Sequence, residues 1–501
     1  MLFNSFIFAV FLPLVFILYW TFFNRKNVTL RNAFLLVASY FFYAWWDWRF
    51  LSLIIISSAT DYFIGLKLDK LNGEENTTPA EGLGKLQRQK KIWLLVSIVT
   101  NLGFLGFFKY FGFFAESLSA LVSVFGITLS PATLNIILPV GISFYTFQTL
   151  SYTIDIYYKK TGSTKNWVQF FAFVSFFPQL MAGPIERARN FLPQFGELHK
   201  PDYKIFRSAM LLIAWGFFKK IMIADRVAVL VDRVYADIPA AEGFPLLLGI
   251  VFFALQLYLD FSAYSDIAIG SARLFGFQLR RNFMRPYLSN SFGNFWKRWH
   301  ISLSSWFQDY VYIPLGGNRK RISRTKINVL IVFVLSGLWH GASWNFVIWG
   351  TFNALFLVLL DPIFSLTLRQ GKEGDSPSDN LLIHAVKSVL IFACWALSLV
   401  FFRAQGFDAA LEAFRHLSFS NFDNIANFGL TAQELNFTFI LIGILVLKGL
   451  VWEKSETIVP TYFYKTPAVL RWVLYIAFVL FIVYFGQYGT GNENSFIYFQ
   501  F

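Results

Sequence analysis

Long apolar runs recur from one end of this 501-residue chain to the other. A helix needs roughly 20 mostly apolar residues to cross a bilayer. Met1–Phe23, Ala33–Phe50, Ile92–Phe108, Asn328–Leu338, Phe346–Leu360, Val389–Phe402, Phe437–Val451 and Val469–Tyr484 have this character, some with flanking residues added. With the middle of the chain included, about 10–13 membrane segments are expected. Only 14% of residues are charged, against about a quarter in soluble domains. The expected class is therefore all-α: one polytopic transmembrane domain over residues 1–501. The first run lacks a basic start and an obvious cleavage site, so it reads as a span rather than a signal peptide.

The net charge is +14. In a membrane protein that excess is read as basic cytoplasmic loops and not as a nucleic-acid surface. Arg25, Lys26 and Arg31 follow the first span. The chain then turns at Trp45–Trp48 and returns to a basic loop holding Lys67, Lys70, Lys85, Arg88, Lys90 and Lys91, with a connector at Asn76–Pro79. Lys465 and Arg471 precede the last span and no basic residue follows it, which puts the tail (residues 485–501) outside the cytoplasm. Gly371–Asn380 is the most loop-like stretch. A single cysteine, Cys394, excludes a disulfide framework and reads as a small hydrophobe. No metal site is expected, and no phosphate-binding glycine loop or nucleophile elbow is present.

Two stretches break the regular pattern. Ser175–Ile185 is apolar but short, with prolines at 178 and 184. It reads either as a re-entrant segment, tolerated where broken backbone is buried in protein, or as a kinked helix. Asn282–Gly317 is too polar to span and is expected to form short helices at the cytoplasmic surface.

Polar side chains within apolar surroundings mark the candidate site. His340 ends an apolar run, in Leu335–Trp344, and His300 lies in Asn294–Ser302; the chain has only five histidines. Imidazole can take and return a proton near neutral pH. Gly337 and Gly341 permit close backbone approach near His340, and the indoles of Trp339 and Trp344 can orient a carbonyl or a ring. For His340 the competing reading is a core histidine bonded to a backbone carbonyl. For His300, beside Trp299, Lys297 and Arg298, it is an interfacial anchor. Asp260 and Asp266 follow the run Leu246–Leu259; each either orients a histidine or arginine or forms a structural ion pair with Arg273 or Arg298. Gln148 and Asp155 pose the same question.

Five stretches in order resemble the membrane-bound O-acyltransferase family, in its bacterial alginate O-acetyltransferase-like branch. They are Leu138–Gln148, Met181–Ile185, Asp260–Asp266, Asn294–Trp306 and Leu338–Trp349. The resemblance implies a ring of tilted helices around a central tunnel, open to an acyl donor on the cytoplasmic side and to an acceptor on the other. It places the family's histidine on His340 and its second polar position on His300, with Trp299, Trp339, Trp344, Asp260, Asp266 and Gln148 in support. Many relatives carry His-Gly a few residues beyond the Trp-Gly pair; here Asn353-Ala354 stands near that place, which puts a third histidine in doubt. The tail Phe496–Phe501 is similar to the aromatic motif of the small peptide that accompanies teichoic acid D-alanyl transferases, where the tyrosine is proposed to carry the acyl group. That likeness points to Tyr498; the competing reading is an aromatic anchor.

The implied activity is transfer of a small acyl group, with acetyl-CoA as co-substrate and no bound cofactor. His340 would be the base, and His300 would bind the donor or stabilise the thioester oxygen. Tyr498 would accept first, and an extracytoplasmic acetyltransferase partner would pass the group to a polysaccharide. The implied location is the bacterial inner membrane. The alternatives are a polysaccharide or lipid transporter and a catalytically silent scaffold.

Overall fold

The computed structural model describes residues 1–75, 77–128, 136–319, 321–366, 381–451, 461–488 and 496–497. Gly371–Asn380, Asn76 and Tyr498 lie outside the described residues. Secondary structure among the described residues is helical throughout. Among the described residues, nine stretches are long and apolar enough to cross a membrane. Val28–Glu74 is counted once among them, although it holds two helices of 20 and 24 residues, Val28–Asp47 and Leu51–Glu74, broken at Trp48–Phe50. The chain is a multi-pass membrane protein.

The contacts group the chain into two units. The first comprises Met1–Ala209 and Ala268–Arg280. Some of its helices start on side-chain caps: Ser5 accepts from the Phe8 N–H (3.2 Å) and Asn27 from the Leu30 N–H (3.1 Å). Leu51–Glu74, Ala80–Leu105 and Ile142–Tyr157 pack together around a buried polar network. The Asp61 carboxylate accepts from Ser97 Oγ at 2.6 Å and from Asn101 Nδ2 at 2.7 Å, and Ser97 and Thr153 share a bond of 2.9 Å. Such groups are tolerated in an apolar interior only when their partners are in place, so the network fixes how these helices meet. The basic residues depart from the sequence reading here. Lys67 and Lys70 sit on one helix, and Lys85, Arg88, Lys90 and Lys91 on the next, with only a short turn between. Arg31 is buried on Val28–Asp47, where its guanidinium donates to the Phe195 carbonyl at 2.9 Å.

Ser175–Ile185 is not one kinked helix. Trp167–Ser175 ends, a four-residue helix Phe177–Leu180 follows, and the rest is irregular and buried. Protein supplies the bonds that the broken backbone lacks: the Phe177 N–H donates to Ser39 Oγ at 3.0 Å. Gly141 has φ +78°, and a Cβ there would lie 2.7 Å from the Leu180 carbonyl oxygen. The start of Ile142–Tyr157 can therefore approach the segment only as glycine.

The second unit comprises Met210–Ile267 and Arg281–Phe501. Its core is rich in aromatic rings, among them Phe295, Trp299, Trp349, Trp395 and Phe402. Cys394 is half-buried against this core. Helix Ile322–His340 packs along Trp344–Leu355. A Cβ on Gly337 would lie 2.2 Å from the Phe346 carbonyl oxygen, and one on Gly350 would lie 2.3 Å from that of Phe333. Small residues let membrane helices meet backbone to backbone. By contrast, Val469, Trp472, Ile476, Leu480 and Val483 on Ala468–Phe485 are exposed, as expected for a lipid-facing helix.

Gly337→Val should cost about 3 kcal/mol, the upper end of the overpacking range, because the obstructing atom is backbone. The midpoint of thermal unfolding in detergent should fall clearly. Gly73→Ala, into open space, should leave it unchanged.

Candidate functional site

Asn282–Gly317 folds as short helical pieces, Pro286–Leu288, Phe292–Arg298 and Ile301–Phe307, the last continued by a π-helical turn at Gln308–Tyr312. Phe292, Phe295, Trp299, Leu303 and Trp306 are buried, so much of the segment is interior and not a surface layer. Between two of these helices sits His300, with φ +40° and ψ +54°. The left-handed region is costly for a residue with a side chain and is held only when its surroundings impose it. Asn282 imposes it here. Its carbonyl accepts from the Ile301 N–H at 2.9 Å, its Oδ1 accepts from the Ser302 N–H at 3.3 Å, and its Nδ2 donates to Ser265 Oγ at 3.1 Å. One side chain thus ties the turn that presents His300 to helix Phe244–Leu274.

His340 arrives from a different element, as the last residue of Ile322–His340. Gly341 follows in extended backbone, and a Cβ there would meet the Phe346 ring at 2.0 Å. The helix can therefore end against Phe346 only with glycine at that point. The two imidazoles lie 6.4 Å apart between ring centroids. Both are buried, with 1% of His300 and 7% of His340 exposed. Aromatic rings surround them. Trp339 is 5.8 Å from His300 and 5.0 Å from His340. Trp349 meets His340 edge-on at 5.1 Å, Phe402 lies 5.5 Å from it, and Phe261 meets His300 edge-on at 4.7 Å. Burial holds the His300 imidazole well below its ordinary pKa, and His340 beside it adds to the shift. A neutral His300 offers one nitrogen as donor and one as acceptor. Two imidazoles in an apolar shell form a place where a proton can be passed with little competition from water.

The structure brings His300, His340 and Trp339 together, and Trp299 packs behind them against Trp395 at 4.7 Å. Trp344 differs, since 60% of it is exposed, and Trp349 is the second indole against His340. Asp260 and Asp266 also differ from their expected pairing. Their partners are lysines, not Arg273 or Arg298: Lys220 Nζ lies 2.7 Å from Asp260, and Lys219 Nζ lies 2.9 Å from Asp266. Gln148 belongs to the first unit. There it exchanges amide bonds with Gln179, accepting at 3.0 Å, and donates to the Phe173 carbonyl at 2.9 Å. Asp155 is likewise in the first unit, 3.8 Å from Arg189. Sequence reading missed Asn282, Lys219, Lys220 and Trp349. The lysines were open to discovery, because two adjacent cations inside the apolar stretch Leu211–Met222 require partners.

The described residues thus form a multi-pass helical body that carries a pair of interior imidazoles. The profile of the membrane-bound O-acyltransferase family matches residues 157–402. A probable alginate O-acetylase of Azotobacter vinelandii is 39% identical over 408 residues, covering 81% of this chain and 75% of that protein. Its counterpart in Pseudomonas aeruginosa is 37% identical over 451 residues, 89% and 79% of the two chains. The peptidoglycan O-acetyltransferase of Helicobacter pylori is 31% identical over 465 residues, 87% and 83%. The chain belongs to the membrane-bound O-acyltransferase family and is an O-acyltransferase. This membership sets aside the transporter reading.

His340→Ala should reduce acyl transfer on the order of 100-fold or more, the range of a lost general base, at unchanged protein abundance. Transfer of a radiolabelled acyl group by the purified variant is the measurement, and normal transfer would remove His340 from the chemistry.

Proposed function

We propose that this protein moves an acetyl group from acetyl-CoA on the cytoplasmic side to an acceptor across the bacterial inner membrane, for O-acetylation of an extracytoplasmic polysaccharide of the alginate type. The observation that carries this reading is the pair of imidazoles 6.4 Å apart in an aromatic shell, within a chain whose relatives include O-acetylases. Alginate is named for several of those relatives.

In the first step His340 takes the proton of an acceptor hydroxyl. The oxygen attacks the thioester carbonyl, while His300 donates to the carbonyl oxygen as it gains charge. The C–O bond forms, the C–S bond breaks, and His340 returns the proton to the departing thiolate. The first acceptor is Tyr498. A phenol has a pKa of about 10, so it loses its proton more readily than a sugar hydroxyl. Its ester also has the better leaving group, which preserves transfer potential for the second step. An extracytoplasmic acetyltransferase partner then moves the acetyl group to a polysaccharide hydroxyl and regenerates the phenol.

Tyr498→Phe separates a carrier from an anchor. Incubation with radiolabelled acetyl-CoA followed by peptide mapping should show label on the C-terminal peptide of the unchanged protein and a loss of at least about tenfold in the variant, in the range of a missing catalytic group. Polymer acetylation persisting in Tyr498→Phe would leave the tail as an anchor and make the polysaccharide itself the first acceptor.

A further inference from the structure

Helix Tyr203–Phe217 does not simply continue. It widens into a π-helical turn at Phe218–Ala224 before Asp225–Ala236 begins. Such turns alter the angular spacing of neighbouring residues and occur often at functional sites. Here the turn buries two consecutive lysines, and both reach helix Phe244–Leu274. Lys219 meets Asp266 at 2.9 Å and Ser262 Oγ at 2.8 Å. Lys220 bridges Asp225 at 2.8 Å and Asp260 at 2.7 Å. The Lys220 group thus joins one cation to two carboxylates and has acceptor capacity to spare.

A backbone donor from the far end of the chain takes up that capacity. The Ile497 N–H donates to Asp260 Oδ2 at 2.6 Å. Phe496 lies edge-on to Tyr264 at 4.9 Å, and the Lys220 ammonium sits 4.6 Å from its ring centroid. Only 1% of Phe496 and 3% of Ile497 is exposed. The same π turn also holds the start of the tail. The Ile221 carbonyl accepts from the Gln487 N–H at 3.0 Å, and Arg226 donates to the Phe485 carbonyl at 2.6 Å. The described residues after the last helix are therefore tied at two points, Gln487 to Ile221 and Ile497 to the carboxylate that Lys220 holds. An anchor lying against lipid has no need of a buried ion cluster or of a main-chain bond to a carboxylate.

We infer that Lys220, Asp225 and Asp260 form a seat for the tail, which grips Phe496 and Ile497 and so sets the reach of the next residue, Tyr498. In this role Lys220 and Asp260 are positioning residues. The inference rests on the reading of Tyr498 as acyl carrier.

Two variants test the seat from its two sides. Lys220→Met removes the cation. Ile497→Pro removes the tail's N–H and leaves the Lys220 pairs with Asp225 and Asp260 intact. Hydrogen exchange of the full-length protein, read by mass spectrometry on the C-terminal peptide, reports whether the tail is held. Label from radiolabelled acetyl-CoA on that peptide reports its loading. Both variants should speed exchange at least tenfold and reduce the label at least tenfold. Three outcomes would each overturn the seat: exchange unchanged in both variants, faster exchange with full labelling, or losses confined to Lys220→Met. Tyr498→Phe isolates the carrier reading. If the peptide still takes up label in that variant, the carrier reading fails, while exchange in the other two still decides whether the tail is held.

Discussion

Every interruption of a helix inside an apolar medium exposes backbone groups that water cannot reach, and each must find a partner within the protein. Much of this molecule follows from where its helices break and from what closes each break. Around Ser175–Ile185, Ser39 accepts from the Phe177 N–H and the Gln148 amide donates to the Phe173 carbonyl. Asn282 closes the break at His300 with its own backbone and side chain. At the π turn, the tail's Gln487 N–H donates to the Ile221 carbonyl. The breaks are thus the points at which remote parts of the sequence are fastened together, and the proposed chemistry gathers around two of them.

The glycine contact between Ile322–His340 and Trp344–Leu355 has a comparable effect by steric means. Gly337 and Gly350 leave no room for side chains, so the helices meet at the backbone. Gly341 then lets the chain pass Phe346 and turn away, leaving His340 at the helix end against Trp349. Close approach also explains the aromatic density here. With the helix axes set by glycine, large rings on Phe292–Arg298 and Leu381–Arg403 fill the volume that remains, as in the contact of Phe295 with Trp395 at 4.7 Å.

The helical class and the membrane character were legible in the sequence, because hydropathy and length are local properties that the bilayer reads directly. His300 and His340 were also legible, since polar groups in apolar runs stand out. The partners of Asp260 and Asp266 were not. Lys219 and Lys220 lie about 40 residues earlier, and nothing in local spacing foretells a π turn that points two adjacent side chains toward one helix. Trp344 stands out in the sequence because it lies near His340 in the chain, yet the start of the next helix carries Trp344 outward and brings Trp349, about 1.4 turns later, back to the ring. Asn282 was hidden for another reason: its role depends on a backbone conformation at His300 that composition does not encode. For Arg31, the positive-inside rule counted a charge that is in fact spent on the Phe195 carbonyl.

The left-handed turn at His300 bears on how substitutions there are to be read. Alanine would remove the ring and also force a poorly suited residue into a positive-φ position, so a loss of activity would mix missing chemistry with a displaced loop. Glycine would relax the turn and permit motion that histidine forbids. Asparagine tolerates this conformation and keeps a polar side chain, which makes it the informative replacement: whatever changes with asparagine reflects the imidazole, and whatever changes only with alanine reflects the backbone it was holding.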